Sequence, residues 1–149
     1  MNNKSNKVNA AIIIIGNEIL SGRTQDTNLA YISKWLNTHG VQVKEARIIP
    51  DLENAIIDNV NELIKKFKYV FTTGGIGPTH DDITARSIAK AFNLKYEFHK
   101  EAFAILKKYY KAGEFNESRQ KMAKMPYNAR LIFNPSSGAP GFIVENVFC

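Results

Sequence analysis

From Val8 to Ile15 the chain is apolar and β-branched almost without a break. That is the pattern of a strand buried on both faces. Leu29, Ile32 and Leu36 then recur at helical spacing behind Asp26 and Thr27, either of which can cap a helix, and Gly40 supplies the stop. Val41–Ile49 predicts a second strand. Leu52–Phe67 predicts the clearest helix, because Ile56, Val60, Leu63 and Phe67 fall on one stripe.

A third strand, Tyr69–Thr73, runs straight into Gly74-Gly75-Ile76-Gly77-Pro78. Ala85, Ile88 and Phe92 place a helix over Asp82–Phe92, and Leu94–Phe98 predicts a short strand. Helices over Glu101–Lys111 and Glu117–Lys124 follow, then strands near Arg130–Asn134 and Phe142–Phe148. This alternation predicts an α/β three-layer αβα sandwich with a mostly parallel sheet covered on both faces. In such sheets ligands bind beyond the carboxyl ends of the strands. Three polar or glycine-rich stretches sit there: Gly16–Asn28, Pro50-Asp51 and Gly74–Thr84. Topology predicts that all three share one edge.

Composition adds boundaries to this picture. At 149 residues with 44% hydrophobic and 23% charged residues, the chain suits one globular domain, expected over residues 10–149 behind a flexible segment 1–9. No internal repeat or long linker divides it. The longest apolar run, Ala10–Ile15, is too short to span a membrane, and no secretory signal is expected. The one cysteine, Cys149, leaves no disulfide framework. A cytoplasmic protein is therefore expected. Of the net charge of +6, +5 falls between His99 and Arg130. Such a block attracts phosphorylated ligands, or else forms a solvated lysine-rich face. Nucleic acid is disfavoured, because Tyr109 and Tyr110 fit a helical stripe as well as a stacking platform.

The glycine-rich stretch carries the most chemistry. Gly74, Gly75 and Gly77 let backbone amides approach an anion closely, and the next helix offers its positive end. The spacing is neither a Walker A loop nor the dinucleotide fingerprint. The plain alternative is a tight turn with Asp81 or Asp82 as helix cap; likewise Asp51 can simply cap the helix at Leu52. Two or three carboxylates beside a phosphate would instead call for a hard cation such as Mg²⁺. Glu18 is a further candidate ligand or base, and Ser21, Arg23 and Asn28 can bond phosphate or ribose oxygens. His39, His80 and His99 share no metal-ligand spacing, and no Gly-x-Ser-x-Gly is present. Pro135–Phe142 reads as a connection or, through Gly138 and Gly141, as a wall of the site.

Five stretches together resemble one family. Gly16-x-Glu18-Ile19-Leu20-x-Gly22, Asp26-Thr27-Asn28, Pro50-Asp51, the block from Thr73 to Thr84 with its Gly-Gly-Ile-Gly-Pro-Thr-x-Asp-Asp core, and Gly138-x-Ala-Pro-Gly141-Phe142 look like the N-terminal domain of the competence/damage-inducible protein A (CinA) family. That domain is similar to the molybdopterin-binding domains of MogA, MoaB and MoeA. The resemblance runs from about residue 10 to 145. Asp81 stands where the MogA-type motif usually has Arg, which groups the chain with CinA. The chain stops at Cys149, short of the Leu-Pro-Gly-x-Pro-like loop of the family, and the amidase domain of long members is not expected.

The resemblance implies a phosphorylated pterin or nucleotide at the glycine loop and a homo-oligomer. It implies a cation-dependent pyrophosphatase acting on ADP-ribose-like nucleotides, or a molybdopterin-binding protein without turnover. In the first case Asp51, Asp82 and Glu18 are the expected catalytic residues, with Asp51, Asp82 and Asp81 around a divalent cation such as Mg²⁺. Gly74, Gly75, Gly77, Thr79, Ser21, Asn28 and Gly138 are the expected ligand-binding residues. No membrane or nucleic-acid partner is expected.

Overall fold

The computed structural model describes residues 7–149. Strand β1 (Val8–Ile15) lies inside a six-stranded sheet, with β2 (Val41–Ile49) and β3 (Tyr69–Thr73) parallel to it on either side. Ala10–Ile15 are all buried, as a run with no polar position requires. Val8 and Asn9, expected in a leading segment, already pair with β2; residues 1–6 of that segment lie outside the described residues.

Beyond β3 the order continues through β8 (Val147–Phe148), β7 (Gly141–Val144) and β6 (Arg130–Ile132). β3 and β8 run parallel, whereas β8, β7 and β6 are antiparallel neighbours. The stretch Phe142–Phe148, expected as one strand, is therefore a hairpin. Its turn places Glu145 at φ +50°, and the Asn146 amide donates to the carbonyls of Phe67 and Lys68. Tethering Asn146 to the start of β3 is what folds this apolar run back on itself.

Helices flank the sheet on both faces, as the alternation predicts. The odd positions of β1 share one core with α3 (Glu53–Lys66), α4 (Thr84–Ala91) and α5 (Lys100–Tyr109), through Ile56, Val60, Leu63, Ile88 and Leu106. α2 (Asn28–Thr38) packs beside β2 and buries Leu36. Tyr31, Trp35, Phe71, Ile132, Ile143 and Phe148 line an apolar groove of about 470 Å³ beside it. Among the described residues, no helix is long and apolar enough to cross a membrane.

The predicted strand at Leu94–Phe98 exists as β4 (Tyr96–Phe98), yet it lies outside the main sheet. It pairs antiparallel with β5 (Lys124–Pro126), a segment whose first residue was expected in a helix. The helix there, α6 (Glu117–Lys121), is one turn long, because Ala123 and Met125 turn inward to the common core. β4, α5, α6 and β5 form a small lobe beside α4 that holds most of the basic block.

Candidate phosphate site

The parallel register puts the ends of β1, β2 and β3 on one edge, and hydrogen bonds tie their loops together. The Gly16 amide donates to the Ile49 carbonyl over 3.1 Å. The Asn17 amide donates to Asp51 Oδ2 over 2.8 Å, and the Asp51 amide donates back to Asn17 Oδ1 over 3.3 Å. The predicted shared edge is present. α1 (Asn17–Leu20) begins at this junction, and the Glu18 carboxylate folds back over Gly16, where a Cβ would lie 2.7 Å from Oε1.

The glycine-rich loop is wound by two residues in the left-handed region, Gly74 at φ +95° and Gly75 at φ +69°. A side chain on Gly74 would collide with the carbonyl oxygen of Ile15, and one on Gly75 with the hydroxyl of Thr84. Only glycine fits this approach of the loop to the end of β1. The fully buried Thr84 closes the loop from the other side: its hydroxyl donates to the Gly74 carbonyl and its amide to the Gly75 carbonyl, each over 2.9 Å.

Asp82 does not cap α4. Its Oδ2 accepts from the amide and the hydroxyl of Thr79, at 2.8 and 2.7 Å, and draws the loop into a ring. Asp51 does not cap α3 either, since its carboxylate is committed to Asn17. Both helix starts lack a side-chain cap. The plain alternative, in which these two Asp residues cap the helices, does not hold: donors in neighbouring turns take up both carboxylates. Within the loop, the amides of Gly75, Ile76 and Gly77 donate to no protein acceptor among the described residues. Amides left without protein partners in a glycine-rich turn at a strand end are groups that an anion can take up.

The remaining predicted residues lie around this loop with other commitments. Asp81 pairs with His80 at 2.8 Å on the exposed loop tip. Ser21 donates to the Glu18 carbonyl and accepts from Arg23 Nε. Asn28 opens α2, its amide bonded to Asp26. Gly138 packs against the ring of Tyr109, and it is Pro140, two residues on, that reaches the glycine loop. The carboxylates of Asp51, Asp81, Asp82 and Glu18 do not gather: among the described residues no three His, Cys, Asp or Glu side chains form a group able to hold a cation. The donor set does not fit an all-protein cation cage.

Two residues of the site escaped the sequence reading. Thr84 was part of the motif, but a polar residue starting an amphipathic helix reads as ordinary. Lys121, on α6, donates to the carbonyls of Thr79 and Asp82 over 2.5 and 2.9 Å. Nothing local in a lysine-rich stretch distinguishes it. A narrow cleft of about 20 Å³ separates Gly75, Gly77 and Asp82 from Tyr96, Lys121 and Lys124. Burial pushes the Tyr96 phenol above its ordinary value. His99 accepts from the Ala102 amide at the start of α5 and pairs with the Ala129 carbonyl.

Comparison with known proteins agrees with this fold. A protein of Archaeoglobus fulgidus is 43% identical over 136 residues, covering 91% of this chain and 58% of its own length. Protein Ta0487 of Thermoplasma acidophilum is 38% identical over 135 residues, covering 91% and 53%. The chain thus spans about half the length of the curated relatives it matches. The crystal structure of the protein CinA from Thermoplasma acidophilum superposes with a TM-score of 0.87 at 36% identity, over 97% of this chain and 88% of that one. A tungsten cofactor synthesizing protein MoaB from Pyrococcus furiosus shares the fold, with a TM-score of 0.57 at 22% identity over 96% and 81%. The family described as "Probable molybdopterin binding domain" matches residues 11–149, and the chain belongs to it.

Proposed function

We propose that this chain binds a phosphorylated pterin of the molybdopterin class, with its phosphate on the amides of Gly75, Ile76 and Gly77. The observation that carries this reading is the set of unpartnered loop amides at the end of β3, in a loop whose shape is fixed from behind by Thr84 and Asp82. The net positive lobe facing the loop favours a polyanion over a neutral pterin. Pterin-cofactor work named for relatives of this fold supports the ligand class.

An ADP-ribose-like nucleotide would use the same cradle. Its hydrolysis calls for convergent carboxylates, whereas Asp51 and Asp82 are each engaged by loop donors. Binding without turnover is therefore the better-supported reading. Calorimetric titration with a phosphorylated pterin and with ADP-ribose, each with and without Mg²⁺, separates the two. We expect binding of the phosphorylated pterin that its dephosphorylated form lacks, and intact ADP-ribose. Cleavage of ADP-ribose would turn the reading to a pyrophosphatase, and pterin binding indifferent to the phosphate would overturn it. Self-association belongs to the same proposal, and a monomer by light scattering would remove that part.

A further inference from the structure

We propose that Lys121 is a positioning residue for the phosphate site, a latch by which the small lobe sets the conformation of the glycine-rich loop. This rests on the reading that the loop amides take a phosphoryl group. The ammonium of Lys121 spans from α6 to two carbonyls of the loop, those of Thr79 and Asp82, 42 and 39 residues earlier in the chain. These are the two residues whose side-chain bond closes the loop into a ring. One cation thus holds the ring from the backbone side while Asp82 holds it from the side-chain side.

The energetics favour a real constraint. Hydrogen bonds from a charged donor are about twice as strong as neutral ones, and Lys121 is half-buried between the lobe and the loop. The loop itself spans eleven residues from Gly74 to Thr84, with three glycines that make its unrestrained backbone entropy large. Without Lys121, the remaining ties are Thr84 and the Thr79–Asp82 ring. Lys121 bridges the narrow cleft between the loop and the lobe. Its ammonium also stands at the cleft wall, where an incoming phosphoryl oxygen competes with the two carbonyls for it.

The test compares Lys121→Met and Lys121→Arg in the full chain, with thermal unfolding to establish that both fold. Amide hydrogen exchange over residues 75–84 of the ligand-free protein reads the latch directly. Calorimetric titration with inorganic pyrophosphate reads the site. We expect exchange at the hydrogen-bonded amides of Thr79, Asp82 and Thr84 in Lys121→Met to rise about tenfold or more and not in α2 or α3, pyrophosphate affinity to fall about tenfold, and Lys121→Arg to recover most of both. Unchanged exchange in Lys121→Met would overturn the latch whatever the ligand result. A loss of affinity that Arg rescues, with exchange unaltered, would make Lys121 a plain charge and likewise overturn it. Failure of the unaltered chain to bind pyrophosphate would overturn the phosphate reading itself, and with it the role of the latch in binding.

Discussion

The loops after β2 and β3 share an Asp ahead of a helix and are built differently. Each ends a parallel strand with an Asp shortly before a helix, and in each the carboxylate ignores that helix. Asp51 reaches 34 residues back to the Asn17 amide and stitches two loops into one edge. Asp82 reaches three residues back to Thr79 and shapes its own loop. The first carboxylate makes a scaffold, and the second makes a cradle whose amides remain available. A helix-start Asp is thus assigned its role by the nearest strong donor, not by its position before the helix.

The comparison breaks most completely at the contact between the cradle and the scaffold. Gly74→Ala forces a Cβ into the Ile15 carbonyl at φ +95°, and urea unfolding should show a loss of about 3 kcal/mol. Gly22→Ala, also at positive φ but with open space around it, should cost about 1 kcal/mol. Equal losses would show that the approach to β1 contributes nothing beyond backbone conformation.

The two carboxylates separate next. Asp82→Ala strands two donors and should cost about 1.5 kcal/mol, whereas Asp82→Asn keeps an acceptor and should stay within about 0.5 kcal/mol. Pyrophosphate binding should survive Asp82→Asn. A roughly hundredfold fall in Mg²⁺-dependent binding for that variant would instead assign Asp82 to a cation. Asp51→Ala leaves the Asn17 backbone amide without its acceptor and should cost about 1 kcal/mol in urea unfolding, and unchanged stability would separate the two loops.

Much of this was legible because it is local. Apolar periodicity places β1, β2, β3, α2 and α3 to within a residue or two, and the glycine and Asp pattern picks out the right edge. The pairing of Tyr96–Phe98 with Lys124–Pro126 was not legible, since it joins segments far apart in the chain that carry no shared pattern. Lys121 was hidden for the same reason: its partners lie about forty residues away, and its neighbours are other lysines. Among the described residues the expected carboxylates do not converge, because the Asn17 amide holds Asp51 and the amide and hydroxyl of Thr79 hold Asp82.

The smallest effect lies in the scaffold below both loops. Arg47 of β2 bonds Glu62 of α3 through two nitrogens, and Lys66 adds a third contact. Hydrogen bonds from Arg47 and then Lys66 lower the Glu62 carboxyl from 4.5 to about 2. A depressed carboxyl stabilises the fold above about pH 4.5 and loses that contribution as pH falls towards 2. Denaturant midpoints measured across this window should drop more steeply for the unaltered chain than for Glu62→Gln, and added salt should shrink the difference because the pair is exposed. Parallel pH profiles would remove the pair from the account.

The central claim, that the Gly-Gly-Ile-Gly turn is a phosphate cradle, is tested most directly by following backbone amides in ¹H–¹⁵N spectra during titration with inorganic pyrophosphate. The account predicts saturable shifts that are largest at Gly75, Ile76 and Gly77, smaller at Thr79, and negligible in the open groove lined by Trp35 and Phe148. Shifts centred on the lysines of α5, or none that saturate, would contradict it.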